Sequence, residues 1–199
     1  MTRRIRTVPA SDARWDDLQE VFRGRGDARG CQCQWFRVRD KEFAAMPHAE
    51  REARFREQTS CERPGRPTTG LVAFDGDEAV GWVAVEPRSA YVRLVRGRLP
   101  WAGREEDPED ASVWAIVCFV VRDGHRGTGI GAELARAAVA YARKHGARAV
   151  EGYPRHRAEG RAQSAADFYV GSPGMFAEAG MREVSRPNPR RSVMRVDFG

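Results

Sequence analysis

The chain has 199 residues, with 34 Lys and Arg against 28 Asp and Glu, a formal charge of +6. That length suits one domain with an ordinary core. The longest apolar run, Ala115 to Val121, is too short to span a bilayer. The basic excess favours an anionic partner: a phosphate-bearing cofactor, an acidic substrate or nucleic acid. The N-terminal stretch MTRRIRTVPASDARW has no apolar segment of the kind that directs export, so a cytoplasmic location is expected. Cys31, Cys33, Cys61 and Cys118 are expected as free thiols there.

RRIRTVPA reads as a first strand, and DARWDDLQEVF as a helix with Trp15, Leu18, Val21 and Phe22 at helical spacing. GRGDARG reads as a flexible break. KEFAAMPHAEREARFREQ follows as polar helix interrupted at Pro47. TTGLVAFDGDEAVGWVAVEPR carries two β-rich runs around Asp75-Gly76-Asp77-Glu78, the pattern of a hairpin. A long connection rich in Pro, Gly and charge leads to SVWAIVCFVV, the most apolar strand and the expected centre of the sheet. AELARAAVAYARKHG reads as a helix that Gly146 ends. ARAVEGYP is a further strand, SAADFYVGSPGMFAEAG a broken helical segment, and MREVSR with SVMRVDF a closing antiparallel pair. The order is that of a mixed α/β (α+β) domain.

Between the apolar strand and the helix stands VVRDGHRGTGIGA. A P-loop would need Lys and Ser or Thr after its last glycine, and Ile130-Gly131 stand there instead. Gly127-Thr128-Gly129-Ile130-Gly131-Ala132 fits the dinucleotide pattern, with Glu151 about twenty residues on in the place of a ribose-binding acid. Against that reading, RDGHR separates the strand from the first glycine, and too few residues follow Glu151 to complete a doubly wound sheet. The third reading is a pyrophosphate cradle. The mouth of a helix offers free N–H groups and a positive dipole end. Glycines let an anion approach them, and Arg126 adds charge. The strand before the loop can lend its backbone edge to an extended amide chain.

R-x-x-G-x-[GA] between an apolar strand and a helix resembles the motif of the GCN5-related N-acetyltransferases (GNAT superfamily). CFVVRDGHRGTGIGAELARAAVAYARKHGARAVEGYP is similar to that family's central strand, loop, helix and next strand, and MFAEAGMREV to its C-terminal Y-x-x-x-G-F segment. CQCQWF and VGWVAVEPRSAY resemble actinobacterial-type members from high-GC bacteria. The resemblance implies a single domain over 1–199. Residues 1–66 would cover the acceptor site, and 67–199 would form the acetyl-CoA-binding core, a mostly antiparallel twisted sheet with splayed central strands. It implies acetyl-CoA as cosubstrate, an amine acceptor and direct transfer in a ternary complex. Phe119 and Val121 would bond the pantetheine through backbone groups. A backbone N–H near Val120 would polarise the thioester, and the amides of Arg126, Gly127, Thr128, Gly129, Ile130, Gly131 and Ala132 would hold the pyrophosphate.

The tyrosine that often serves as acid in that family has no counterpart here, because Phe occupies position 176 and Met181 replaces the aromatic of GF. Tyr169 is the nearest substitute, as acid or as a structural tyrosine, with Ser172 behind it. Glu86 and Glu151 end strands and are the candidate bases. In CQCQWF, Cys33 and Trp35 are expected to line the acceptor site. A C-x-C pair needs further ligands to hold zinc, so no metal is expected; an acyl-carrying role for Cys33 stays open. Arg88, Arg93, Arg96 and Arg98 among Tyr91 and Trp101 could face single-stranded nucleic acid. REEDPED then reverses the charge, so nucleic acid is not expected, and neither is a membrane. The expected partners are a small-molecule amine, with a protein amine second, and a second copy of the chain. The alternatives are a non-catalytic acyl-CoA-binding regulatory module and an NAD-binding oxidoreductase.

Overall fold

The computed structural model describes residues 5–24, 26–98, 100–156 and 169–199. Seven strands form one sheet: β1 (Ile5–Pro9), β2 (Gly70–Asp75), β3 (Glu78–Pro87), β4 (Val113–Val121), β5 (Ala149–Gly152), β6 (Arg182–Asn188) and β7 (Arg191–Asp197). Their spatial order is β1-β2-β3-β4-β5-β7-β6. β4 therefore lies at the centre, as its continuous apolar run requires of a strand covered on both faces. Among the named strands the β4–β5 pair is parallel, and the other five pairs are antiparallel. A doubly wound dinucleotide-binding sheet is parallel throughout its core. The expected oxidoreductase alternative is thereby overturned by topology.

Helices cover both faces. α1 (Trp15–Phe22), α2 (Ala28–Cys31), α3 (Asp40–Ala45) and α4 (His48–Thr59) precede β2. The break expected over GRGDARG thus contains one short helix, α2, while Pro47 separates α3 from α4 as read from the sequence. α1 lays Trp15, Leu18, Val21 and Phe22 on one face of the sheet, where they pack with Phe55, Trp82 and Tyr91. α5 (Val92–Val95) interrupts the long connection, and α6 (Ile130–Lys144) crosses the opposite face. There Ile130, Leu134, Ala135, Ala138 and Ala142 pack on Val80, Val83 and Phe119. α7 (Pro173–Glu178) begins at Ser172, whose hydroxyl caps it by accepting the Met175 N–H at 3.3 Å. Among the described residues no helix is long and apolar enough to cross a membrane.

β4 and β5 pair only from Val113↔Ala149 to Ile116↔Gly152. β5 ends there while β4 runs on to Val121. A Cβ on Gly152 would stand 2.5 Å from the Phe176 ring, so the missing side chain is what lets α7 dock under the end of β5. The result is a gap beside β4 from Val117 onward.

Candidate active site

The gap, the glycine loop and a cavity meet around the second half of β4. Arg122 N–H donates to the Val80 carbonyl at 3.0 Å, and Val120 stands opposite Trp82 in the same register. Antiparallel alternation therefore turns the Val120 N–H toward β3 and those of Phe119 and Val121 toward the gap. The Val120 N–H, near which a polarising donor was expected, therefore does not itself face the gap. Phe119 N–H donates to the Tyr169 carbonyl at 2.7 Å, and the Val121 carbonyl accepts from Arg126 Nε at 3.3 Å.

At the helix mouth, Gly127 and Gly129 adopt φ of +74° and +86°. A Cβ on either would meet nothing within 4 Å, so backbone conformation rather than space selects glycine at both positions. Among the described residues none of the N–H groups from Arg126 to Gly131 donates to another backbone group. Ala132 departs from the expected set, because its N–H is spent on the Gly129 carbonyl at 3.0 Å. Six consecutive amides therefore stand without a backbone acceptor at the positive end of a fifteen-residue helix, an arrangement able to receive an anion. Arg126 folds back on Asp123 at 3.1 Å, and the Thr128 hydroxyl donates to the His125 carbonyl at 2.6 Å.

On the other face of β4 lies a cavity of about 600 Å³, within the range of small-molecule sites. Cys118 and Val120 form its floor; Phe22, Cys31, Cys33, Trp35, Phe36 and Phe43 come from the N-terminal helices and loop. Tyr169 and Val170, with Arg51, Arg155, Arg191 and Asp27, complete the wall. Cys33 and Trp35, the residues expected at the acceptor site, both line this cavity. Trp35 is 43% exposed, packs edge-on against Phe43 with centroids 5.1 Å apart, and lies under Arg93 at 3.6 Å. Arg155 and Arg191 join the wall through an isolated bridge at the end of the sheet, which no local sequence signal announced. Cys118 sits in the most apolar strand, yet it lines the cavity.

The three candidate acid–base residues have separate environments. The Tyr169 hydroxyl is buried and lacks a hydrogen-bond partner of good geometry; burial pushes its pKa up. It points toward Gly26, where an added Cβ would stand 2.8 Å from it. Glu86 does not line the cavity. It is 8% exposed, ion-paired with Arg37 and close to Tyr91, whose buried hydroxyl lacks a hydrogen-bond partner of good geometry. Tyr91 is 1% exposed, and its ring packs on Phe36 of the cavity wall with centroids 6.4 Å apart. Burial raises the Glu86 pKa to about 7, against the pull of Arg37 and Tyr91.

Glu151 is fully buried. Its carboxylate accepts from Arg104, from Arg195 at 2.6 Å and from the Tyr153 hydroxyl at 2.8 Å, with Arg88 at 3.4 Å. Burial opposes its charge, but these donors outweigh burial and lower its pKa. A carboxylate enclosed by three guanidinium groups is a poor proton acceptor and does not reach the cavity; Glu151 leaves the set of candidate bases. Two of the arginines singled out beside Tyr91 and Trp101 are engaged within the chain: Arg88 is fully buried over Trp101, and Arg93 is paired with Asp40 and lies over Trp35.

The fold has known counterparts. A GNAT-family acetyltransferase from Streptococcus pneumoniae superposes with a TM-score of 0.53 at 13% identity, over 98% of this chain and 100% of that one. An N-acetyltransferase from Staphylococcus aureus Mu50 gives 0.53 at 15% identity, over 99% of each chain. A GNAT-family acetyltransferase from Brucella melitensis, solved in complex with acetyl-CoA, gives 0.48 at 18% identity, over 100% of this chain and 90% of that one. A comparison with curated proteins finds no match. The architecture is a single GNAT-like α/β domain. The sequence pattern of the acetyltransferase (GNAT) family matches residues 34–169, and the chain belongs to that family.

Proposed function

We propose that this chain is an acetyl-CoA-dependent N-acetyltransferase that moves an acetyl group to a primary amine of a small molecule by direct transfer in a ternary complex. The observation that carries the reading is the row of six free amides from Arg126 to Gly131 at the mouth of α6, beside the opening between β4 and β5. Those amides would take the pyrophosphate. The backbone of Phe119 and Val121 would take the pantetheine, with Phe119 N–H exchanging the Tyr169 carbonyl for the cosubstrate. A donor N–H aimed at the thioester oxygen stabilises the charge that develops there. The amine would enter the cavity floored by Cys118 and Val120. Tyr169 would protonate the departing thiolate. Glu86, set behind the cavity wall, would take the amine's proton through an intervening water, since a base poised near neutrality suits that work.

Calorimetry with CoA, followed by thiol release from acetyl-CoA across a panel of primary amines, tests the reading. Heat of binding and amine-dependent release are expected. Absence of heat with any CoA ester overturns it. The Phe119–Tyr169 contact favours one alternative, a chain that binds acyl-CoA without turnover. Binding without release on any small amine or peptide N-terminus would identify that module.

A further inference from the structure

All four cysteines are free, and three of them, Cys31, Cys33 and Cys118, line the same cavity. Cys118 lies on the face of β4 that also carries Val120, which stands opposite Trp82 of β3. The Trp82 indole N–H donates to Cys33 Sγ at 3.1 Å, and Cys33 and Cys118 both line the cavity and pack on the cluster that holds Trp82. Two sulfurs distant in sequence therefore share one wall beside one indole.

The backbone is built to hold Cys33 there. Gln32 and Cys33 are consecutive left-handed residues, with φ of 45° and 53°. For residues with a side chain that costs about 1–2 kcal/mol each. The flanking glutamines hold the turn in place. Gln32 pairs amide to amide with Gln19 at 3.0 and 3.2 Å, and Gln34 does the same with Gln58 at 2.8 and 3.4 Å. Both glutamines are buried. Among the described residues no three His, Cys, Asp or Glu side chains are grouped to hold a metal ion.

We infer that Cys33 and Cys118 form an oxidisable dithiol in the cavity wall, converted to an intramolecular disulfide by a small peroxide that enters through the cavity. The Cys33 sulfur attacks the O–O bond of hydrogen peroxide. That bond breaks, Cys33 becomes a sulfenic acid, and the leaving hydroxide departs as water with the thiol proton. The Cys118 sulfur then attacks Cys33 sulfur. The S–S bond forms, the S–O bond breaks, and hydroxide leaves as water with the Cys118 proton. Two thiols are oxidised and one peroxide is reduced to two waters. Cys33 is the attacking member, because its interaction with Cys118 and burial push the Cys118 thiol well up, and burial pushes Cys31 up to about 11. The bond would draw Cys33 off Trp82 and narrow the cavity. The thiol chemistry does not rest on the acetyl-transfer reading.

The test treats the full chain with hydrogen peroxide and reads intact mass, free-thiol count and linked peptides. The mass is expected to fall by about 2 Da, and two thiols to be lost, with both restored by dithiothreitol. The linked peptide should join Cys118 to the Cys31–Cys33 segment, and Cys31→Ser should oxidise as the unaltered chain does. Cys33→Ser and Cys118→Ser should each lose the mass change. An unchanged mass, oxygen addition without mass loss, or a disulfide through Cys31 or Cys61 overturns the inference. Peptide mapping of the unaltered chain decides the matter even if a serine variant fails to fold.

Discussion

Glu86 and Glu151 stand in one row across the sheet, Glu86 beside Ala115 and Ala115 beside Glu151. Both are buried, yet their protons move in opposite directions. Glu86 has one cation, Arg37, and burial wins, raising its pKa from 4.5 to about 7. Glu151 has Arg88, Arg104 and Arg195, and the cations win. A raised carboxyl pKa means the folded chain binds more protons than the unfolded one between about 4.5 and 7. Through this group alone, stability falls as pH rises across that window, by at most about 3 kcal/mol. Glu86→Gln should therefore gain stability relative to the unaltered chain at pH 8 compared with pH 4.5, read by urea denaturation at both values. If Glu86 is the base, kcat/KM should rise with pH through about 7, and Glu86→Gln should abolish that rise. An unaltered profile in the variant removes Glu86 from the chemistry. Tyr169→Phe should lower kcat by about a hundredfold while CoA affinity holds; equal turnover would return Tyr169 to a structural role.

At the scale of elements, the decisive junction is β4, the glycine loop and α6. A short apolar strand delivers the chain to a helix mouth whose first amides have no backbone acceptor. Any side chain at Gly129 meets a positive φ, and a carboxylate there also places negative charge among those amides. Gly129→Ala should cost about 1–2 kcal/mol of stability from left-handed strain. Gly129→Glu should add to that cost a loss of CoA affinity, measurable by calorimetry on folded protein. Equal affinity in the Glu variant would count against the phosphate role. This junction was legible in the sequence because its signals are local: the apolar run, the spacing of glycines and the helical periodicity are neighbours in the chain. The hairpin and the Pro47 break were legible for the same reason. The direction of the Val120 N–H was not, because it depends on register against β3.

Across the whole molecule, the sheet is held at one end by charge. Glu151, Glu106 and Asp197 are interleaved with Arg88, Arg104 and Arg195, contributed by β5, β7 and the connection before β4. Glu151→Ala should destabilise the fold by about 3–5 kcal/mol, since it leaves buried guanidinium groups uncompensated. Thermal unfolding at pH 7 checks this. Because the Glu151 pKa is lowered, its contribution is present above about pH 4.5 and is lost as pH falls toward the folded value. The sequence marked Glu151 as a strand-end carboxylate but could not reveal its partners, which lie far along the chain. The buried glutamines were hidden for another reason. Gln32 and Gln34 are polar in a polar stretch, and only their reciprocal amide pairing makes burial tolerable.

That pairing separates two kinds of fastening within one domain. The wall of the cavity is clasped by neutral amides, which neither titrate nor respond to dissolved ions. The far side of the sheet is riveted by formal charges, which do both. Mild acid should therefore loosen β5, β6 and β7 first, with the Gln19, Gln32, Gln34 and Gln58 clasps still closed. Hydrogen exchange should register this as early amide exposure over 149–152 and 182–197, while 31–36 remains protected.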